Sequence, residues 1–399
     1  MSTSFDISKN HAPAGGQFNT MRVGVLSEVE HIEVREVPLP RIAATEVMVR
    51  VGAVGLCGTD AHIFAGHANY NIDAYGQPIP FKIQPQVLGH EISGHVEEVG
   101  SAVRDLAPGD RVVIDQGLNC VSMQRTPLCE YCGTGDSHQC EFYAEHGITG
   151  LPGGLAEFIV VPAVNAIPIR SDLDLTAAAL AEPLGCIIHS TDAAVRARAR
   201  YHLNGKPPRV RSVLICGAGP AGLMFAQYLR RVLEYDGQLL VSEPNEDKRA
   251  LAAGFGADRV IDPGERDAVE EVQDQTDGKG VDWLIEASGA GQVLAFIPGL
   301  IKKQATVVLY GHGHAGVDLS VLNNLMFREP TLITPVGASG GFDPDGRPSV
   351  YRRSLNLIEQ GKIEVASLIT HRYTSLDSVQ DALLKDIYTP GYIKGVVTL

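Results

Sequence analysis

The stretch "VLICGAGPAG", residues 213–222, constrains this chain more than any other. A buried apolar run ends in Gly217-x-Gly219-x-x-Gly222 and passes directly into the helical pattern "LMFAQYLRRVL". In a strand–glycine–helix setting each glycine has its own task. Gly217 permits the tight turn, Gly219 lets backbone N–H groups approach a pyrophosphate, and Gly222 lets helix and strand pack closely. Pro220 and Ala221 open the helix, whose N-terminus sets partial positive charge beneath the phosphates. The next strand, "GQLLVSE", ends at Glu243, a carboxylate that accepts from ribose hydroxyls and repels a 2′-phosphate. NAD is therefore expected over NADP. Glu243 lies beyond the usual ~20-residue separation because the helix runs on through "FAQYLRRVLEYDG". Lys248 is a further candidate for the adenosine ribose, with a solvated helix-start lysine as the alternative.

Around this fingerprint, "GQLLVSEPNEDKRALAAGFGADRVI", "GVDWLIEASG" and "ATVVLYG" alternate apolar strands with helical stretches, the pattern of a doubly wound parallel sheet. The chain before about 176 reads differently. "EVMVRVGAVGL", "ISGHVEEVG", "DRVVID" and "AEFIVVP" have the period of two expected of half-buried strands, and "APGD" is a tight turn. That is a β-rich, barrel-like domain. Near the end, "SVYRRSLNLIEQGKI" and "LDSVQDALLKDIY" predict amphipathic helices and "YIKGVVTL" a closing strand. Residues 1–20 read as a loose polar tail, with Met21 a possible alternative start.

The net charge of −14 and the lack of a basic stripe argue against a nucleic-acid partner. The N-terminus has no secretory pattern, and no run approaches the ~18 apolar residues of a membrane span. Seven cysteines, odd in number and clustered, suit thiol or metal chemistry in a reducing cytoplasm better than a disulfide framework.

Cys120, Cys129, Cys132 and Cys140 form C-x8-C-x2-C-x7-C. Four thiolates in a polar stretch suit a closed tetrahedral zinc site, the alternative being a reduced loop or a redox pair. A dispersed set comprises Cys57 in "GLCGTDAH", His90 and Glu91 in "GHE", and Glu182, Cys186 and His189 in "AEPLGCIIH". Three protein ligands and an open position are the pattern of catalytic zinc, for which Cys57 and His90 are suitable donors. Asp60 is placed to hold the second nitrogen of His90 and fix its tautomer.

"GLCGTDAH", "GHEISGHVEEVGS", "PGDRV", the four-cysteine lobe, "GGLAEFIVVP", "AALAEPLG", "GAGPAG" and "VDWLIEASG" occur in that order. Together they resemble the zinc-dependent medium-chain alcohol dehydrogenases, and "AEPL" is similar to the polyol branch containing sorbitol, threonine and butanediol dehydrogenases. The resemblance covers about 21–399. It implies an α/β chain with a GroES-like β-rich catalytic domain (21–185 and 338–399, zinc lobe about 117–143) and an inserted Rossmann domain (186–337). It further implies catalytic zinc on Cys57, His90 and a glutamate: Glu182 matches the "EPL" ligand, Glu91 the carboxylate beside the histidine that approaches or exchanges at the metal, and Cys186 is an alternative thiolate. Thr59 matches the hydroxyl that touches the substrate, His62 the relay toward solvent, and Lys394 a basic residue near the cofactor phosphates. The activity implied is NAD-dependent hydride transfer from a polyol or other secondary alcohol. A threonine-type amino-alcohol dehydrogenase or carbonyl reductase on the same scaffold is the alternative, and a non-catalytic dinucleotide-binding protein is the rival of another class. A small-molecule substrate and a homo-oligomer, dimer or tetramer, are expected. Three insertions depart from the family pattern: "AGHANYNIDAYGQPIPFKIQP", "VSMQRT" after Cys120, and "RARARYHLNGKPPRV".

Overall fold

Residues 20–203, 205 and 207–399 are described, in a computed structural model of the chain. The expected tail therefore lies outside the described residues apart from Thr20. The chain divides into two units: residues through 185 with 338–359 and 365–399, and residues 186–337 with 360–364. The expected second catalytic segment, 338–399, thus gives up 360–364 to the other unit. The cause is a reciprocal pair: Gln227 Nε2 donates to Glu364 O at 2.8 Å, and Glu364 N donates to Gln227 Oε1 at 2.7 Å.

The first unit contains β1 (Thr20–Glu28), β2 (His31–Pro38), β3 (Glu46–Leu56), β4 (Gln86–Val87), β5 (Glu91–Val99), β6 (Arg111–Ile114), β7 (Gly117–Leu118), β8 (Ala144–Glu145), β9 (Phe158–Pro162) and β10 (Ala166–Pro168). The second contains β11 (Ser212–Cys216), β12 (Gln238–Ser242), β13 (Arg259–Ile261), β14 (Val281–Glu286), β15 (Ile301–Leu309) and β16 (Thr331–Ile333). The chain then returns to the first with β17 (Ile369–Tyr373) and β18 (Lys394–Thr398).

In the first unit a seven-stranded sheet has the order β10-β6-β5-β3-β18-β17, with β9 also on β3. β3 is its centre, and its Val47, Val49, Val51 and Val54 are fully buried. These β-branched residues fit a pleated buried surface, which is why this stretch is a strand. Val49, Leu56, Ile63, Leu88, Ile92 and Ile114 share one core with Leu376, Val379, Leu383 and Val397, so both ends of the chain build it. At ~25 cal/mol per Å² of apolar surface, such burial is the main stabilising term. "LDSVQDALLKDIY" breaks into a 3-10 turn (Leu376–Ser378), a short helix (Val379–Leu384) and another 3-10 turn (Asp386–Tyr388). Tyr373 Oη donates to Asp386 Oδ2 at 2.9 Å and so holds the last turn to β17.

The second unit is a six-stranded parallel sheet of order β13-β12-β11-β14-β15-β16. The order reverses direction between β11 and β14, and the crevice at their carboxyl ends is where such sheets take ligands. Among the described residues no helix is long and apolar enough to cross a membrane.

Candidate active site

β3 delivers Cys57 at its end, and the chain turns at once into α1 (Gly58–Phe64). The turn is held by Asp60 Oδ2, which accepts from Cys57 N at 2.9 Å. Asp60 Oδ1 accepts from Gly89 N at 3.0 Å and lies 3.5 Å from His90 Nδ1. One fully buried carboxylate thus ties the Cys57 turn to the His90 turn and leaves His90 Nε2 available to a metal. Burial alone would raise the Asp60 carboxyl, but the facing imidazole and the two N–H groups outweigh it and hold it below its usual range. Burial would likewise lower His90, yet Asp60 and Cys57 carry it well above the ordinary histidine value.

Ligand atoms of Cys57, His90 and Glu91 lie within 4.8 Å of one another. Glu91 is fully buried; its Oε1 accepts from Lys394 Nζ, and its Oε2 has no hydrogen-bond partner. A buried carboxylate with one oxygen unpartnered, gathered with a thiol and an imidazole, is a donor set that fits zinc. Thr59 Oγ1 is 3.8 Å from Cys57 Sγ, and His62 follows half-buried on α1.

The second cluster gathers Cys120, Cys129, Cys132 and Cys140. Cys140 Sγ lies 3.7 Å from Cys120 Sγ and 3.9 Å from Cys129 Sγ. A tetrahedron with ~2.3 Å zinc–sulfur bonds has edges of about 3.8 Å. The residues therefore fit the ion. Cys132 lies in α2 (Glu130–Thr134), where its N–H donates to Cys129 Sγ and holds that thiol down to about 6. Burial pushes Cys132 and Cys140 up. Four sulfurs this close ionise together only beside a cation. The "VSMQRT" insertion does not displace Cys120, because it closes on itself: Arg125 N donates to Cys120 O at 2.8 Å, and the Arg125 guanidinium stacks on Phe142.

In the second unit Gly217 has φ 96°, the left-handed region where glycine carries no steric cost. A Cβ on Gly222 would overlap the Gly217 carbonyl, whereas one on Gly219 would meet nothing within 4 Å. Close packing and open approach thus fall on the glycines expected for a pyrophosphate cradle. Pro220 and Ala221 begin α5 (Pro220–Gln227), which is followed by a π-helical turn over Tyr228–Val232 before β12. Glu243 accepts from Ala218 N at 2.7 Å and Asn245 N at 2.9 Å, so its carboxylate is fixed beside the glycine turn. Lys248 sits half-buried in the first turn of the helix Glu246–Gly254.

Residues 43–171 match the model of the alcohol dehydrogenase GroES-like domain, and 220–360 that of zinc-binding dehydrogenases. An L-threonine 3-dehydrogenase of Pyrococcus furiosus is 33% identical over 350 residues, covering 88% of this chain and 90% of its own. The chain belongs to the zinc-dependent medium-chain alcohol dehydrogenase family. It is a nicotinamide-dinucleotide-dependent zinc dehydrogenase with a GroES-like domain and a Rossmann sheet. A Sinorhizobium meliloti 1021 structure with NADP bound is similar at TM-score 0.75 and 30% identity, covering 95% of this chain and 99% of that one. The fold of galactitol-1-phosphate dehydrogenase from Escherichia coli matches at TM-score 0.75 and 24% identity over 95% of this chain and 100% of that one.

Several expected site residues of the dehydrogenase already have partners within the protein. Lys394, expected near the cofactor phosphates, is buried in β18 with its ammonium on Glu91. Burial would lower it, but Glu91 and Cys57 keep it charged. Glu182 lies outside the Cys57–His90–Glu91 group, as does Cys186. At the start of α4 (Ala181–Arg196), after α3 (Leu175–Ala179), Glu182 is buried and its Oε1 accepts from Gln116 Nε2 at 3.0 Å. The same nitrogen donates to Glu145 Oε1 at 3.0 Å, and Tyr351 Oη donates to Gln116 Oε1. His146 N donates to the Gln116 carbonyl, and Gly147 packs against Gly89, next to His90. Sequence reasoning missed Gln116, Glu145 and Tyr351, since no spacing rule marks a lone amide just past a strand.

Proposed function

We propose that the chain oxidises a secondary alcohol bearing a neighbouring hydroxyl or amino group, with NAD as hydride acceptor and catalytic zinc on Cys57, His90 and Glu91. The observation that carries this reading is the buried Glu91 carboxylate, one oxygen of it unpartnered, gathered with Cys57 and His90, with Thr59 at hand. Zinc bound there supplies a Lewis acid, which for water lowers the pKa from ~16 to ~7. Asp60 keeps the His90 ring in place. Thr59 Oγ1 would accept the substrate hydroxyl proton while giving up its own, which His62, one turn along α1, would pass outward. The carbinol carbon loses hydride to the nicotinamide, so the alcohol becomes a ketone and NAD becomes NADH. Cys120, Cys129, Cys132 and Cys140 hold a structural zinc.

Glu243 supports NAD, because a 2′-phosphate would meet its carboxylate. Glu145 and Glu182, joined through Gln116, favour substrate hydroxyls or an ammonium and oppose a phosphate ester. A polyol satisfies this pair with hydroxyls. An amino alcohol satisfies it with its ammonium, a reading supported by the Pyrococcus furiosus relative. The protein works on small molecules in the cytoplasm, in keeping with the lack of any disulfide among the described residues. A homo-oligomer is supported by the free edge of β16 and by exposed Leu319, Met326, Phe327 and Leu332.

The test is a panel of L-threonine, polyols, a vicinal butanediol and a sugar phosphate, followed by NADH absorbance with NAD and NADP in parallel. We expect turnover of L-threonine or a polyol with NAD and little with NADP. Equal rates with the two cofactors would remove the role given to Glu243. Metal-replete protein that binds NADH and turns over no alcohol would favour the non-catalytic reading.

A further inference from the structure

Glu91 and Lys394 meet across a strand that separates them. Glu91 stands on β5 and Lys394 on β18, and β3 runs between the two. In register, Gly55 of β3 pairs with Glu91 on one side and with Val396 on the other. The Glu91 side chain lies directly over Gly55. A Cβ built on Gly55 would overlap Glu91 Oε2 and stand 3.0 Å from its Cδ and 3.1 Å from its Cβ. The carboxylate has nowhere to retreat, being fully buried with Oε1 already on Lys394. Nor does the backbone demand glycine here, since Gly55 is not among the positive-φ glycines.

We propose that Gly55 is a positioning residue: its missing side chain is the space in which the Glu91 carboxylate crosses β3, so that Oε1 rests on Lys394 while the carboxylate is presented beside Cys57 and His90. The inference rests on the assignment of Cys57, His90 and Glu91 as zinc ligands. Any added methyl pushes the carboxylate off this path, because the displaced oxygen has no solvent to enter. The same argument makes the penalty specific to Glu91: with that carboxylate gone, the methyl fills the vacated space.

The experiment is a double-mutant cycle on the full chain with Gly55→Ala, Glu91→Ala and Gly55→Ala/Glu91→Ala, reading Tm and zinc affinity by chelator competition. Cobalt-substituted protein gives the spectroscopic signature of the Cys57 site. Gly55→Ala should weaken that site about tenfold or more, as loss of an orienting partner does. It should lower Tm and shift the cobalt band, while the four-cysteine site keeps its metal. In the Glu91→Ala background the same methyl should cost little, and if Gly55→Ala alone fails to fold the double variant should fold. An equal Tm penalty in both backgrounds, failure of both to fold, or wild-type zinc affinity and Tm in Gly55→Ala would overturn the proposal. If instead Cys57→Ala keeps every zinc, the ligand assignment fails, and the Tm cycle still reports on the packing.

Discussion

Gln116 shows how one side chain can order three others. Its carbonyl oxygen takes the Tyr351 hydroxyl, which turns its amide hydrogens toward Glu145 and Glu182. Gln116→Leu removes the partner that all three share, and loss of one partner of a buried hydrogen bond costs about 1–3 kcal/mol. The variant should raise KM for the best alcohol about tenfold while changing kcat less; steady-state kinetics check this. An unchanged KM would place the pair away from substrate. His146 makes a pH prediction. Burial lowers its pKa, and the bond from Nδ1 to Pro152 O offsets this only in part. The fold therefore favours the neutral ring. Its contribution is fully present above the unfolded value of 6.5 and is lost as pH falls toward the depressed folded value, because the unfolded chain binds a proton that the folded chain resists. His146→Gln should flatten the fall of Tm on the acid side of that value, as read by thermal melts from about pH 5 to 8.

At the scale of elements, the glycine turn between β11 and α5 has the sharpest consequence. Gly222→Ala drives a methyl into the Gly217 carbonyl. It should abolish measurable NADH binding, or weaken it by about two orders of magnitude, ~2.7 kcal/mol, with zinc content intact because both metal clusters lie in the other unit. Fluorescence titration of NADH together with metal analysis checks this. Such a turn is legible in sequence because its three glycines answer three local demands at fixed spacing. The strands "EVMVRVGAVGL" and "GVDWLIEASG" are legible for the same reason: alternation or continuous burial writes their period into the chain. What escapes is whatever depends on partners distant in sequence. Lys394 reads as a loose cation until β18 is seen beside β3, where it meets a carboxylate from β5. Nothing in the spacing of Glu182 shows that Gln116 donates to it. "LDSVQDALLKDIY" has helical periodicity, yet Tyr373 and the turns around Asp386 shorten it to six residues.

Across the whole molecule the labour is divided: metal clusters in the unit built from both chain ends, and the dinucleotide turn in the inserted sheet. Chelation should therefore show two phases. Metal on Cys57, His90 and Glu91 leaves first, since a catalytic site keeps an open position, and turnover goes with it. Metal on the four thiolates leaves later and lowers Tm, because closed sites contribute directly to folding. Loss of Tm and turnover in a single step would contradict that division. The central claim is that Cys57, His90 and Glu91 grip an ion that prepares the alcohol for hydride loss. Its most direct test is metal analysis and hydride transfer measured together on wild-type and Cys57→Ala protein. The account predicts about two zinc per chain in the first and about one in the second. Turnover should fall by several kcal/mol, roughly 10³-fold or more, with NADH binding retained. Two zinc per chain and undiminished turnover in Cys57→Ala would contradict it.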